Sequence, residues 1–203
     1  MSFTEIAALT IHDVKNRLAH LAGKAEQRGD ADTMRTALEA AETLTELLTF
    51  YKSENGILRI DVEAHAPIDL IDELVRETEG MTQVRIEKDC HAAPTLAFYD
   101  ETLVRMVLSN ALHNALRYAQ NQIMISAQES GSYIEFSVRD DGAGYPASVL
   151  ADTGDSAAVT RDGTGLGLRL AKRIAALHEN DGTQGELVLV NDNGGVFRFR
   201  LPK

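Results

Sequence analysis

The sequence is poor in the residues that mark secreted proteins, membrane proteins and disulfide-stabilised domains. Its 203 residues include a single cysteine, Cys90, which cannot form an internal disulfide bond and is typical of a cytoplasmic protein. No run reaches the roughly 18 consecutive apolar residues that span a bilayer, and the residues after Met1 lack the pattern of a signal peptide. We therefore expect a cytoplasmic protein without membrane insertion.

Basic residues are also scarce relative to acidic ones. The chain has 20 Lys and Arg against 31 Asp and Glu, and its formal net charge is −11. Binding to a nucleic-acid backbone requires clustered basic side chains, so we expect no nucleic-acid partner. The hydrophobic content of 44% is ordinary for a folded protein that buries a core.

The chain begins with two amphipathic helical patterns. Apolar residues recur at steps of three and four over residues 3–28, where we predict a first helix that is closed by Gly29. The same spacing predicts a second helix that starts after Asp32, its expected N-cap, and stops before Asn55. Because the connection is short, residues 1–55 should form an antiparallel helical hairpin. A second copy would cover the remaining apolar faces in a four-helix bundle, so we expect a homodimer; the alternative is that the hairpin folds back on the C-terminal region.

Residues 56–203 mix strand and helix patterns. We predict strands over 57–62, 84–87, 95–98, 123–128, 133–138, 187–190 and 196–201, and helices over 68–78, 101–119 and 166–177. Asp100 should cap the second of these helices, and Asn193-Gly194 should form the turn of the closing hairpin. This order predicts an α+β fold in which a mixed sheet carries helices on one face.

Two asparagines on the predicted helix 101–119 have clear chemistry. Asn110 and Asn114 are one turn apart, so their side-chain oxygens can meet one ligand. Neutral amide oxygens suit a site where Mg²⁺ arrives already carrying phosphate oxygens. Alone, either residue would be read as an ordinary surface asparagine.

Two further segments add a carboxylate and a flexible backbone. Asp140 follows a predicted strand and can accept a hydrogen bond from an exocyclic amine such as that of adenine, while Gly142 and Gly144 allow a ligand to approach the backbone. Gly163, Gly165 and Gly167 come just before or within the start of a helix, where backbone amides and the positive helix end favour phosphate. Each segment alone has a common structural explanation, a hairpin turn or a glycine-rich loop.

Taken together, the segments 110–118, 140–144 and 163–168 resemble the N box and the two glycine boxes of the Bergerat ATPase fold, which histidine kinases, gyrase, Hsp90 and MutL share. The segment Ile11-His12-Asp13-Val14-Lys15-Asn16-Arg17-Leu18 resembles the H box of histidine kinases. The resemblance to a histidine kinase catalytic core thus covers nearly the whole chain. It implies a dimerisation and phosphoacceptor hairpin in residues 1–55 and an ATP-binding catalytic domain, an α/β sandwich, in residues 56–203.

The resemblance also implies the ligands and the residues that hold them. ATP and Mg²⁺ are the expected cofactors, with Asn114 as the metal ligand. Residues 145–162 would form a short lid, in which no convincing Phe-containing F box is present. The nucleotide-binding residues implied are Asn110, Asn114, Arg117, Tyr118, Asp140, Gly142, Gly144, Gly163, Gly165, Leu166, Gly167 and Leu168.

His12 is the phosphoacceptor that the resemblance implies. At about 100° per residue it projects some 150° away from the predicted apolar stripe and so faces solvent. The neighbouring Asp13 can accept a ring proton, and Asn16 lies one turn on, at the position that helps to dephosphorylate the response regulator in the family. Arg17 stands where the family often has proline. The predicted stripe consists of Ile6, Val14, Leu18, Leu21 and Ala25.

The activity implied is that of an ATP-dependent protein histidine kinase in a two-component phosphorelay. Its partner would be a response-regulator receiver domain, and a phosphatase activity is also implied. Either a separate sensor protein supplies the input or the chain is a fragment. The alternatives are a histidine phosphotransfer protein with a vestigial ATP domain and a serine kinase acting on an anti-anti-sigma partner, which has no reason to carry an H-box hairpin.

Overall fold

The computed structural model describes residues 3–79, 82–151 and 165–203, the side chains of residues 3–8 excepted. Two compact units make up the chain, Met1–Leu58 and Arg59–Lys203. Within the described ranges, no helix is long and apolar enough to cross a membrane.

The first unit, here called the hairpin unit, consists of helices α1 (Phe3–Gln27) and α2 (Ala31–Glu54). The helices pack on each other, and the three-residue connection between them makes them antiparallel. The N-cap of α2 is Asp30, whose carboxylate accepts a hydrogen bond from the Thr33 amide at 3.1 Å. The prediction of Asp32 as N-cap is therefore wrong, because Asp32 lies inside the first turn, where its charge favours the helix dipole.

The two helices of the hairpin unit meet through small side chains. The buried residues there are Ala22, Ala25, Ala37, Thr49 and Ser53. The larger apolar residues of the predicted stripe do not share this burial, since Leu21 remains 46% exposed and Val14 38%. Within a single chain, Ala25 of the predicted stripe is therefore buried and Leu18 half-buried, while Val14 and Leu21 remain exposed.

The second unit, here called the sheet unit, contains the remaining helices and strands. The helices are α3 (Pro67–Glu79), α4 (Glu101–Tyr118), α5 (Ala147–Leu150) and α6 (Leu166–Leu177). The strands are β1 (Glu63–His65), β2 (Arg85–Asp89), β3 (Ala97–Tyr99), β4 (Gln122–Ser130), β5 (Tyr133–Asp140), β6 (Glu179–Asn180), β7 (Thr183–Gln184), β8 (Glu186–Asn191) and β9 (Gly195–Pro202).

A five-stranded sheet in the order β2-β4-β5-β9-β8 forms the centre of the sheet unit. Strands β2 and β4 are parallel and the other neighbours are antiparallel, which confirms the predicted mixed sheet. Helices α3, α4 and α6 pack on it. The short pairs β1-β3 and β6-β7 are separate antiparallel ribbons.

Strand register aligns the buried side chains across the sheet. Ala127 on β4 pairs with Phe136 on β5, which pairs with Phe199 on β9, and all three are buried. The ring of Tyr99 meets Phe136 edge to face, with centroids 5.4 Å apart. Alternate residues face the other side, where Ser126 and Ser137 hydroxyls are 2.8 Å apart. This alternation places one face of the sheet toward the helices and leaves polar groups on the other.

Most predicted elements of the sheet unit are present, with two differences. The predicted strand over 57–62 is wrong, because Asp61 donates its amide to the carboxylate of Asp100 instead of to a strand, and the first strand is β1. Helix α5 and the β6-β7 ribbon were not predicted, because they are too short to show a period. The predicted cap is confirmed, since Asp100 accepts from the Leu103 amide at 2.9 Å.

Candidate functional site

The two asparagines of α4 lie together at the edge of the helix layer. Helix α4 buries its other face, including Val104, Leu108 and Leu112, and so holds the asparagines in place. The Asn114 side-chain amide donates to Oδ1 of Asn110 at 2.7 Å. This bond uses the nitrogen of the Asn114 amide and fixes its orientation. The Asn114 oxygen does not take part in the bond with Asn110.

The beginning of α6 packs directly on this asparagine pair. A Cβ atom at Gly167 would lie 2.5 Å from Oδ1 and 2.6 Å from Nδ2 of Asn110, so glycine lets α6 approach the Asn110 amide without displacing it. Gly165 is the N-cap of α6 at φ +66°, and Leu166 and Leu168 are half-buried on either side of Gly167. The structure therefore brings the second glycine segment and the asparagine helix together, with the positive end of α6 beside Asn110.

The loop that starts at Asp140 packs against the other end of α4. A Cβ at Gly142 would lie 2.3 Å from the carbonyl oxygen of Tyr118, and one at Gly144, where φ is +79°, would lie 2.7 Å from the Asn191 side chain. Both glycines thus accommodate protein atoms, whereas the sequence suggested that they make room for a ligand. Arg117 and the Tyr118 side chain are exposed near the same helix end.

Asp140 itself is held in a defined orientation. Its Oδ1 accepts hydrogen bonds from the Gly142 amide at 2.8 Å and the Gly195 amide at 3.3 Å. The carboxylate is half-buried at the end of β5, and its second oxygen accepts no hydrogen bond from the residues that the structure describes.

Asp141 is a residue that sequence reasoning missed. Its carboxylate accepts from the amides of Gln120, at 2.7 Å, and Asn121, at 3.0 Å. Hydrogen bonds from backbone amides, that of Asn121 first, lower the pKa of Asp141 to about 2. The side chain thereby fastens the loop after α4 to the loop after β5. The second carboxylate in Asp-Asp-Gly was the signal that could have indicated it.

The turn between β8 and β9 also contributes contacts that the sequence did not reveal. Asn191 accepts from the Tyr145 amide at 2.7 Å and donates to the Tyr145 carbonyl at 2.9 Å. Burial, with a smaller effect of the Asp140 charge, raises the pKa of Tyr145 above its usual value. The sequence identified only Asn193-Gly194, as the turn of the closing hairpin.

Part of the predicted site lies outside the described residues. Gly163 belongs to the segment 152–164, and so does most of the predicted lid. The described portion of the lid, residues 145–151, contains the short helix α5.

The donor set around Asn114 fits a metal that arrives with phosphate. Among the described residues, no group of three or more His, Cys, Asp or Glu could hold an ion. Asn114 offers one oriented amide oxygen, and Asn110 is adjacent. Such a sparse, neutral set matches Mg²⁺, which keeps waters and takes phosphate oxygens as ligands.

His12 lies on α1 in the hairpin unit and is exposed, as predicted from the helical pattern. Its Nδ1 is 3.3 Å from Nδ2 of Asn16, one turn further along the same face. Rotating the Asn16 amide by half a turn would let its oxygen accept an Nδ1 proton and leave Nε2 as a nucleophile. Asp13 is exposed beside it.

The sheet unit brings together the asparagines of α4, the loop that starts at Asp140 and the start of α6. This arrangement in an α+β domain is typical of the class of nucleotide-binding domains. Residues 99–203 match the family model described as histidine kinase-, DNA gyrase B- and HSP90-like ATPase. This match covers more than half of the chain, so the protein belongs to that ATPase family. Its resemblance within the family is to the catalytic core of histidine kinases.

Known relatives extend the similarity over the hairpin unit. The sensor protein PhoQ of Escherichia coli K12 is 28% identical over 201 residues, covering 92% of this chain and 41% of PhoQ. The structure of full-length ShkA in complex with AMPPNP has a TM-score of 0.75 at 21% identity, covering 99% of this chain and 46% of ShkA. The structure of the histidine kinase ThkA in complex with the response regulator TrrA has a TM-score of 0.61 at 19% identity, covering 98% of this chain and 61% of the matched chain. The structural matches show a shared fold, and the chain spans less than half the length of PhoQ and of ShkA.

Proposed function

We propose that this protein is an ATP-dependent protein histidine kinase that phosphorylates itself on His12 and passes the phosphoryl group to a receiver-domain aspartate. The observation that carries the proposal is the assembly in the sheet unit, where Gly167 packs on the Asn110 amide and Gly142 on the Tyr118 carbonyl. Two segments distant in sequence, 140–144 and the start of α6, thus converge on the asparagine segment of α4, as a nucleotide site requires. Family membership supports ATP as the nucleotide.

In this proposal each segment has one task in holding ATP. Asp140 accepts a hydrogen bond from the adenine amine, and the start of α6 with Gly163, Gly165 and Gly167 faces the phosphates. Asn114 binds Mg²⁺, with Asn110 beside it, and bound Mg²⁺ neutralises phosphate charge. The other proposed contacts are made by Arg117, Tyr118, Gly142, Gly144, Leu166 and Leu168.

The transfer step forms one bond and breaks one. The Nε2 lone pair of neutral His12 attacks the γ-phosphorus, the bond to the bridging β–γ oxygen breaks, and ADP leaves with that electron pair. The Nδ1 proton then leaves to Asp13, and Asn16 holds the ring in the correct orientation. The exposure of His12 and its contact with Asn16 support these roles.

We further propose that two copies associate through the hairpin unit, residues 1–55, and that residues 56–203 form the ATP-binding domain. The fully buried side chains of the hairpin unit are small, and several of its large apolar residues are exposed in a single chain. Burying them against a second hairpin would yield about 25 cal/mol for each Å² removed from water. The exposed large apolar residues on the two helices of the hairpin unit, among those whose side chains are described, are Leu9, Val14, Leu21, Leu38 and Leu47.

A response-regulator receiver domain is the proposed partner. The structural similarity to ThkA, which is described in complex with the response regulator TrrA, supports this partner class. Asn16 would position the water that hydrolyses the phosphorylated aspartate, giving a phosphatase activity. The input would come either from a separate sensor protein or from a sensor region of a longer polypeptide of which this chain is a piece.

Labelling with γ-³²P-ATP and Mg²⁺ tests the transfer step. We expect acid-labile, base-stable labelling of the wild-type chain and none of the His12→Ala variant. His20→Ala is the matched control, because His20 is also exposed on α1 and should leave labelling intact. Labelling that persists in His12→Ala would refute the assignment. A protein that accepts phosphate on His12 from another phosphoprotein but binds no ATP would be a phosphotransfer protein instead.

A further inference from the structure

The turn between β8 and β9 lies against the carboxylate that the proposed function assigns to base recognition. Within the described part of the chain, both hydrogen bonds to the Asp140 carboxylate end on Oδ1, from the amides of Gly142 and Gly195. A carboxylate oxygen has two lone pairs, so these two N–H groups occupy Oδ1. Recognition of a base amine by Asp140 must therefore use Oδ2.

Gly195 lies beside that second oxygen. A Cβ atom at Gly195 would be 2.7 Å from Oδ2 of Asp140 and 3.3 Å from Cε2 of Tyr145. The first distance is shorter than Cβ atoms in proteins tolerate. Gly195 is not among the glycines with positive φ, so its backbone conformation alone does not require glycine. The absence of a side chain at Gly195 instead leaves space next to Oδ2, and a Cβ there would require the Asp140 carboxylate or the turn to shift.

Several contacts keep the turn from moving away from Asp140. A Cβ at Gly194, where φ is +139°, would be 1.9 Å from the Asp140 carbonyl oxygen, so the two backbones touch. The Asn191 side chain binds both the amide and the carbonyl of Tyr145. Arg139 donates to the carbonyl of Asp192 at 2.6 Å and to its carboxylate at 2.7 Å. A side chain at position 195 would thus be forced onto Oδ2.

We propose that Gly195 is a specificity-determining residue of the nucleotide site. By lacking a side chain it leaves Oδ2 of Asp140 accessible to the 6-amino group of adenine, and residues 191–195 with Tyr145 form one wall of the base pocket. The inference rests on the proposed ATP site and adds to it a residue, Gly195, that selects the base through the space it leaves open.

The test compares two nucleotides and three proteins by calorimetry in the presence of Mg²⁺. The nucleotides are ATP and purine riboside triphosphate, which lacks only the 6-amino group. Wild type should prefer ATP by roughly tenfold or more, the value of a hydrogen bond to a charged group. In Gly195→Ala this preference should fall to about one, because the methyl group covers Oδ2.

Gly185→Ala is the matched control. A Cβ there would also meet protein atoms, 2.6 Å from the Ala175 carbonyl oxygen and 2.7 Å from that of Arg200, but these belong to α6 and β9 residues other than Asp140. Any general loss of packing should appear in this variant too, while its preference for ATP should persist. Circular dichroism establishes that each variant is folded before titration.

Three outcomes overturn the inference. Equal preference for ATP in wild type and folded Gly195→Ala would show that Gly195 does not control access to Oδ2, and a wild type without preference would show that Oδ2 does not read the amine. A wild type that binds neither nucleotide would remove the proposed function itself.

If Gly195→Ala does not fold, ¹⁵N NMR spectra of the wild type supply the test instead. The chemical shift of the Gly195 amide should change differently with ATP and with the analogue, and identical changes would contradict the proposal.

Discussion

In the hairpin unit the fully buried side chains are all small and several large apolar ones are exposed, whereas in the sheet unit the fully buried side chains include large aromatic and aliphatic ones. Ala22 and Ala37 are buried while Leu47 is 45% exposed, and Phe136 and Phe199 are fully buried. The sheet unit therefore contains a core of its own large side chains, and the hairpin unit leaves large apolar side chains exposed in a single chain. We expect this difference between a domain that binds a ligand and one that associates with a second copy.

The largest expected effect is a loss of stability on removing a side chain from the core of the sheet unit. Phe136→Ala removes a fully buried ring between Ala127 and Phe199 and should lower the free energy of unfolding by about 3–5 kcal/mol. Phe98→Ala is the matched control, because Phe98 is 64% exposed and should cost less than about 1 kcal/mol. Urea unfolding followed by circular dichroism measures both. Equal losses would mean that the sheet unit has no such core.

The next effect concerns the hairpin unit. Leu21→Glu combined with Leu47→Glu places two charges on the exposed apolar row and should convert a dimer into a monomer in sedimentation velocity, because burying an unpaired charge is costly. Leu96→Glu, at an exposed leucine of the sheet unit, should leave the dimer intact. A wild-type chain that sediments as a monomer at micromolar concentration would contradict the proposed bundle.

A smaller, pH-dependent effect belongs to the sheet unit alone. His178 is 3% exposed; it donates Nδ1–H to the Ile174 carbonyl and accepts the Asp100 amide on Nε2, so it is neutral. Burial lowers its pKa below the usual value. The unfolded chain then binds more protons, so stability from His178 is complete above a pH of about 6.5 and declines as the pH falls toward the lowered pKa.

His178→Phe tests this effect. The variant leaves the Asp100 amide unpaired, which should cost about 1–3 kcal/mol at pH 8, and the difference from wild type should shrink as the pH falls below about 6.5. His91→Phe, at an exposed histidine, should keep the wild-type pH dependence. A difference that grows on acidification would mean that His178 is charged in the folded protein.

Features that depend on neighbours in sequence could be predicted well. The Asp100 cap, the helix 166–177 and the hairpin turn at Asn193-Gly194 follow from local spacing and turn chemistry, and the structure contains all three. The predicted N-cap of α2, Asp32, lies two residues after the observed one, Asp30. Both aspartates fit the sequence pattern, and only the backbone geometry distinguishes them.

Contacts between distant segments could not be predicted. The Asn191 side chain meets Tyr145, and Asp141 fastens residues 120 and 121, across 46 and about 20 positions of sequence. Nothing in the local pattern of either residue specifies the partner, since the partner is set by strand order. The roles of Gly142 and Gly167 as contact glycines likewise depend on how α4 meets the two loops.

Calorimetric titration of the full chain with ATP in the presence of Mg²⁺ tests the central claim most directly. We expect one nucleotide per chain and a loss of about tenfold or more in affinity for Asn114→Ala, whose amide oxygen is the proposed metal ligand. Absence of binding by the wild-type chain, or equal affinity in Asn114→Ala, would contradict the account of a magnesium-nucleotide site on α4.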